Sequence, residues 1–350
     1  MVLVGMGLGR LGLIILIIII IIIVYVFAIR SFRSSSYEKD FLEIEKLGNG
    51  AFGEVVKVRH KIDGQEYAIK KIKLTDTNWH CVDNEISVLA GLDHRNVVRY
   101  NNSFGENGIM YIQMNVAQMT LRTWFDERNQ SHDFSEFVWK NITNGKHFNQ
   151  KCASCDCLVC PNYLSRGKFE FKKESLGIGK QLVAAVQYIH RCNIIHNDIK
   201  PANIFVNYKD CATVVQLADF GLVSTADHEK QPFGSEPYAA PEKYHGFGGK
   251  SSDLFSVGLI LLELLVPISM TTQRSFNGLI WINYNWMFSN LTTNYKKLIQ
   301  RLMHHDSSKR PTAEKVLEIL DFYIENNIDA GHSENAENQL YERWPEVFKN

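Results

Sequence analysis

The residues best suited to chemistry lie in the polar segment HNDIKPANI at 196–204 and in the triplet DFG at 219–221. Asp198 can accept a proton from a hydroxyl group, and Asn203 lies five residues on, where its side chain can reach a metal ion. Asp219 brings a second carboxylate to the same cluster of magnesium and phosphate. We therefore predict a site for phosphoryl transfer, with Asn203 and Asp219 as ligands of Mg²⁺.

A nucleotide-binding segment is expected upstream, and LGNGAFGEVV at 47–56 has the required form. Its glycines lack the Cβ atoms that would keep a backbone turn away from triphosphate oxygens, and its first valine offers an apolar surface for a base. The strand pattern EYAIKKI at 66–72 follows and presents a lysine to the α- and β-phosphates. These two segments predict an ATP site that includes Leu47, Gly48, Gly50, Gly53, Val55, Ala68 and Lys70.

Three further patterns indicate the elements that position these residues. In VDNEISVLAGL at 82–92 the apolar residues form one helical face, and Glu85 can point toward Lys70 as its ion-pair partner. YIQMNVA at 111–117 reads as a strand that ends in a connection between two lobes. Helical spacing of apolar residues resumes at Leu176.

In this order the segments resemble protein kinases over roughly residues 38–322. Two more segments carry the resemblance. Asp253 in SSDLFSVG matches the buried residue that anchors the catalytic loop, and Arg310 in DSSKRP matches the residue that pairs with Glu242 of APE. The resemblance implies an α+β fold with two lobes: an N-lobe (38–114) of antiparallel β-sheet plus one helix, and a mainly helical C-lobe (118–322).

The kinase resemblance also implies roles for single residues. The catalytic set is Asp198, Lys200, Lys70 and Glu85, and Lys200 within DIKPAN marks serine/threonine specificity. The adenine is expected to lie beside Met114 as gatekeeper and to bond the backbone of Asn115 to Ala117, with Phe205 completing the ATP pocket.

A finer resemblance is to the kinases of the α subunit of translation initiation factor two. It rests on the segment from Asp40 to Lys73 and on YIQM, DFGLVSTAD and GLILLELLVP, and it does not separate the double-stranded-RNA-activated member from the endoplasmic-reticulum stress member. It implies phosphorylation of that subunit under stress, which lowers translation. A kinase with another protein substrate and a non-catalytic pseudokinase scaffold are the alternatives.

Members of this family pair as homodimers through their N-lobes. Asp40, Asp63 and Tyr100 match three positions of that contact, whereas Ser36 replaces an arginine. Asn197 stands where kinases normally carry an arginine that holds a phosphorylated activation loop. Either activity does not need that phosphate or another cation substitutes, and Ser235 occupies the position of the phosphorylated threonine.

Composition and the N-terminal residues bear on location. The 350 residues are 45% hydrophobic, and basic and acidic side chains number 38 each, so no global field attracts nucleic acid. Residues 11–29 carry no charge and span about 28 Å as a helix, which predicts a transmembrane anchor. Three of the four nearby cations follow this stretch, so the kinase is expected to face the cytosol from an endomembrane. A signal peptide and a low-complexity start are the alternatives.

The remaining segments are predicted to lie outside the catalytic core. They are the N-terminal residues 1–10, the linker 30–37, an insert at about 130–175 and a C-terminal tail at 323–350. The insert contains Cys152, Cys155, Cys157 and Cys160, which either bind metal or lie in an ordinary loop of reduced thiols. Cys81, Cys192 and Cys211 have no partner spacing and are predicted to be packing residues.

Overall fold

In the computed structural model two lobes are built from an antiparallel sheet and from a group of helices, as the sequence predicts. The structure describes residues 37–50, 53–130, 171–209, 212–225, 238–266, 291, 293–326 and 334–349. The predicted anchor at 11–29, the four clustered cysteines, Cys211 and Ser235 lie outside these residues. Among the described residues, no helix combines the length and apolar character needed to cross a membrane.

The N-lobe is one five-stranded antiparallel sheet with strand order β1-β2-β3-β5-β4. Glycine is required at Gly53, because a Cβ there would stand 1.9 Å from the carbonyl oxygen of Lys71 on the neighbouring strand. The strands are β1 (Phe41–Gly50), β2 (Gly53–His60), β3 (Glu66–Lys73), β4 (Tyr100–Glu106) and β5 (Ile109–Asn115), and helix α2 (Trp79–Gly91) follows β3.

Alternation along these strands separates two faces. On one face, Val56, Val58 and Ile69 are buried beneath the short helix α1 (Tyr37–Asp40), whose Tyr37 ring stacks on Tyr111 at 4.5 Å. This cluster fixes the point at which residues preceding the domain enter the N-lobe.

The C-lobe is organised around helix α5 (Lys250–Leu265), whose residues from Ser252 onward are all buried. A helix that is apolar all round belongs in a core, and α4 (Phe171–Arg191) packs against it. The other helices are α3 (Leu121–Gln130), α6 (Thr293–Leu302), α7 (Ala313–Glu325), α8 (Glu334–Arg343) and α9 (Pro345–Phe348). Short strands carry the site: β6 (Met119–Thr120), β7 (Ile194–Ile195), β8 (Ile204–Lys209), β9 (Ala212–Leu217) and β10 (Ser224–Thr225).

The structure corrects two boundary predictions. Helix α4 begins at Phe171, five residues before the predicted start, because Glu174 accepts a hydrogen bond from Thr213 and Ser175 is fully buried. The predicted tail contributes Leu340, Trp344, Val347 and Phe348 to the main hydrophobic core. The C-lobe therefore extends past residue 322, to at least residue 348.

The prediction for two of the isolated cysteines was wrong. Cys81, on α2, and Cys192, just after α4, are both exposed. Cys81 lies beside the buried residues Val82 and Glu85 of α2 rather than among them, and Cys192 follows the last residue of α4.

Candidate active site

Lys70 on β3 forms the predicted ion pair with Glu85 on α2. Its Nζ lies 2.6 Å from Glu85 Oε1 and 2.9 Å from Asp219 Oδ1. Burial disfavours the ammonium group, but the two carboxylates outweigh it, so the pKa of Lys70 is raised. The lysine is therefore a fixed cation in the cleft, held from both lobes.

The segment between β7 and β8 forms a loop around Asp198. Lys200 Nζ donates to Asp198 Oδ2 at 2.8 Å, and Asn203 Nδ2 donates to the same oxygen at 3.0 Å and to the Asp198 carbonyl at 2.9 Å. Pro201 to Asn203 form a single 3-10 turn, which brings Asn203 back over Asp198. The carboxylate is thus oriented by two donors from its own loop.

Asp253 on α5 anchors this loop from the core. Its carboxylate accepts from the backbone N–H of His196 at 2.9 Å and of Asn197 at 3.0 Å, and it bonds His190 Nε2 at 2.9 Å. Burial alone would raise the pKa of Asp253, but these donors outweigh it and lower the pKa below its ordinary value. The predicted role of Asp253 in anchoring the catalytic loop is confirmed, and these bonds fix the backbone that carries Asp198.

Asp219 is joined to the loop through its neighbours. The backbone N–H of Ala218 donates to the carbonyl of Asn203 at 2.9 Å, and the His196 ring bonds the carbonyl of Ala218 at 3.0 Å. Asp219 itself has a left-handed backbone with φ of 62°. Such a conformation is uncommon outside glycine, and aspartate is one of the few other residues that adopt it readily. It turns the carboxylate toward Lys70.

Arg310 confirms the second long-range pair. Its side chain is fully buried and donates to both oxygens of Glu242, at 2.6 and 2.8 Å. Ser252 also donates to Glu242, at 2.7 Å. These bonds outweigh burial and lower the pKa of Glu242. They fix the C-terminal end of the segment that begins at Asp219 against the C-lobe.

The sequence also matches the family described as Protein kinase domain, over residues 41–149 and 154–320. That match covers most of the chain. This protein belongs to the protein kinase family.

Curated relatives of this chain include kinases from three organisms. It is 29% identical over 314 residues to the rat interferon-induced, double-stranded RNA-activated protein kinase, a match covering 81% of this chain and 52% of the relative. It is 29% identical over 332 residues to the Arabidopsis thaliana eIF-2-alpha kinase GCN2, covering 82% of this chain and 25% of the relative. A membrane-associated cdc2-inhibitory kinase of Caenorhabditis elegans, wee-1.3, matches at 27% over 81% of the chain. The kinase spans at most about half the length of these relatives.

Four of the residues predicted to bind ATP, namely Val55, Ala68, Lys70 and Met114, lie on one face of the N-lobe sheet. Ala68 pairs across the sheet with Met114, and Val55 pairs with Lys70. Because alternate residues share a face, Ala68 lies on the same side of β3 as Lys70. Phe205 is half-buried on β8, Asn115 and Ala117 follow Met114 in the connection between lobes, and Leu47, Gly48 and Gly50 lie on β1.

Two residues of this site were missed by sequence reasoning. His190 lies at the end of α4 and bonds Asp253, and Lys243 donates to the side chain of Asn197. His190 belongs to none of the motifs on which the sequence prediction rests. Lys243 follows directly after Ala240, Pro241 and Glu242, and this position is the only sequence signal that could have drawn attention to it.

Proposed function

We propose that this chain is a serine/threonine kinase that transfers the γ-phosphate of ATP to the α subunit of translation initiation factor two and so lowers translation under stress. The observation that carries the catalytic part is the cluster in which Lys70 meets Glu85 and Asp219 while Lys200 and Asn203 orient Asp198. A pseudokinase scaffold commonly lacks one member of this cluster. The assembled cluster favours catalysis.

In the proposed reaction, Asp198 accepts the proton of the substrate hydroxyl. Lys200, 2.8 Å from the Asp198 carboxylate, keeps a positive charge beside the oxygen that attacks the phosphate and beside the phosphoryl group that is transferred. Lys70 holds the α- and β-phosphates, and Glu85 fixes the position of its amine. The protein's contribution is mainly position and charge.

The residues at the predicted metal position fit a divalent ion. Asn203 uses its amide nitrogen for two bonds to Asp198, which leaves its side-chain oxygen available as a metal ligand, and its backbone carbonyl accepts from Ala218, the residue before Asp219. Oxygen donors of this kind suit Mg²⁺. When bound, the ion would neutralise phosphate charge, and Asn203 and Asp219 would be the residues that hold it.

The substrate part of the proposal rests on similarity. One relative, the Arabidopsis thaliana protein, is named an eIF-2-alpha kinase. The kinases of initiation factor two, which the sequence resembles, dock a folded substrate on a surface near the activation segment, the residues from Asp219 to Glu242. We expect purified kinase to phosphorylate the intact α subunit far more efficiently than the isolated phosphosite peptide.

Two controls accompany that comparison. One is a generic basic protein as a third substrate, and the other is the variant Asp198→Asn assayed on all three substrates. Efficient phosphorylation of the basic protein but equal rates on subunit and peptide would favour a kinase with another substrate. If the unaltered chain phosphorylated none of these substrates, the alternative of a pseudokinase scaffold would be favoured.

We further propose that residues 11–29 anchor the kinase in an endomembrane with the catalytic domain in the cytosol, and that it dimerises through the N-lobe. Asp63 is exposed, and its carboxylate accepts from the backbone of Gln65 at 2.8 Å, which holds it at the turn after β2. In the soluble domain, the rate of autophosphorylation per enzyme molecule should rise with protein concentration, and Asp63→Lys should suppress this rate. Glu325→Lys, which makes the same charge change on an exposed residue of α7, should leave it unchanged. A rate independent of concentration would refute dimerisation as the switch.

A further inference from the structure

Asn197 occupies a position where kinases normally carry arginine, and its surroundings show what replaces that side chain. Asn197 is buried, with a left-handed φ of 68°. Its Nδ2 donates to the carbonyl of Leu222 at 2.9 Å and to Ser224 Oγ at 2.8 Å. The catalytic loop is therefore bonded to the first residues that follow Asp219.

The amine of Lys243 completes the same group from the other end of the activation segment. It donates to Asn197 Oδ1 and lies 3.5 Å from the Asn197 carbonyl oxygen. Lys243 belongs to the turn Pro241–His245 and is 5% exposed. Asn197 thus connects the catalytic loop to the beginning and to the end of the activation segment.

Burying an ammonium group is unfavourable unless it is well compensated. Burial lowers the pKa of Lys243, and the carboxylates of Asp253, Glu242 and Asp198 act in the opposite direction. Two of these carboxylates belong to the catalytic loop and to its anchor. The lysine is thus a positive charge inside the group that positions Asp198, where an apolar side chain would leave the Asn197 oxygen without this donor.

An arginine at position 197 would need an anion to hold the activation segment, and a phosphate on that segment supplies it. Here the side-chain amide of Asn197 and the buried amine of Lys243 form the connection. The amide donates to uncharged groups, and nearby carboxylates of the protein compensate the charge of the amine. We infer that Lys243 is a positioning residue for phosphoryl transfer, which holds the catalytic loop through Asn197 so that turnover does not require a phosphate on the activation segment.

The first test replaces the amine. Lys243→Met should lower kcat by about 10- to 100-fold, the factor that corresponds to losing a hydrogen bond to a charged group. The KM for ATP should change less than about twofold, because the contacts of Lys70 are not altered. The assay uses a generic basic protein substrate, so its result does not depend on the proposed substrate.

Lys297→Met is the matched control. Lys297 also donates to a backbone carbonyl, that of Phe348 at 3.0 Å, and to Tyr341, but it lies in the C-lobe away from the loop. Lys297→Met should lower the free energy of unfolding without lowering kcat. Wild-type kcat in Lys243→Met, or an equal loss of kcat in both variants, would overturn the inference.

The second test uses the native chain, so it does not depend on a variant that folds. Protein from cells that co-express a phosphatase, with loss of phosphate checked by mass spectrometry, should retain its initial rate, as should Ser235→Ala. The double variant Asn197→Arg with Lys243→Met should instead become dependent on phosphorylation of Ser235. Dephosphorylated native kinase that is inactive until rephosphorylated would show that Lys243 does not replace the phosphate.

Discussion

The contact between Asp253 and the catalytic loop allows a quantitative prediction. In Asp253→Asn one carboxylate oxygen becomes an NH₂ group. Oδ2 accepts from His196 N and His190, and Oδ1 accepts from Asn197 N. In either orientation of the new amide, its NH₂ group therefore faces a backbone N–H instead of an acceptor. At least one buried backbone donor then has no acceptor.

The expected loss follows from these bonds. A hydrogen bond to a charged group contributes about 1.5–3 kcal/mol, and an unsatisfied buried donor has a penalty of about 1–3 kcal/mol. We expect Asp253→Asn to reduce the free energy of unfolding by about 2–4 kcal/mol. A displacement of about 1 Å in the loop that carries Asp198 should also lower kcat by about 100-fold.

The pH dependence has a defined sign. Because the pKa of Asp253 is lower in the folded state, its carboxylate stabilises the fold above the ordinary aspartate pKa of about 3.9, and that contribution is lost as the pH falls through the folded value. The difference between wild type and Asp253→Asn should therefore be constant near neutral pH and shrink in acid.

Urea denaturation of both proteins at several pH values measures this difference. The control is Asp321→Asn, which removes a surface pair with Lys180 and should change the free energy of unfolding by less than about 1 kcal/mol. If Asp253→Asn unfolded within about 0.5 kcal/mol of wild type and kept its kcat, the carboxylate would not hold the loop, and the reasoning would be refuted.

Three other outcomes are expected. Lys70→Arg and Asp198→Asn should each lower phosphoryl transfer more than about 100-fold with unchanged circular dichroism, and wild-type activity in either would contradict its assigned role. Arg310→Lys loses a buried two-point contact and should reduce the free energy of unfolding by about 2–4 kcal/mol; an unchanged urea midpoint would count against this. Trp344→Ala should cost about 3–5 kcal/mol by thermal denaturation because Trp344 is 2% exposed, and a loss no larger than that of the exposed Trp79→Ala would show that the C-terminal helices are dispensable.

The sequence alone was sufficient to nominate the active-site residues, because their chemistry is carried by short motifs. Asp198, Lys200 and Asn203 share one loop, so their spacing already limits which atoms can meet. Lys70 and Glu85 were predicted from their positions in a strand pattern and in an amphipathic helical pattern, and the ion pair is confirmed at 2.6 Å. The two-lobed fold followed from the resemblance to protein kinases that these segments carry.

Only the tertiary structure could decide contacts between residues distant in the chain. Lys243 lies 46 positions from Asn197, and no local period connects them. The helices at 334–348 are rich in polar residues, and their few apolar side chains become core residues only because α6 and α7 offer a complementary surface. The exposure of Cys81 and Cys192 likewise depends on which side of each helix meets its neighbours. Burial is a property of three-dimensional neighbours, whereas motif chemistry is a property of residue type and spacing.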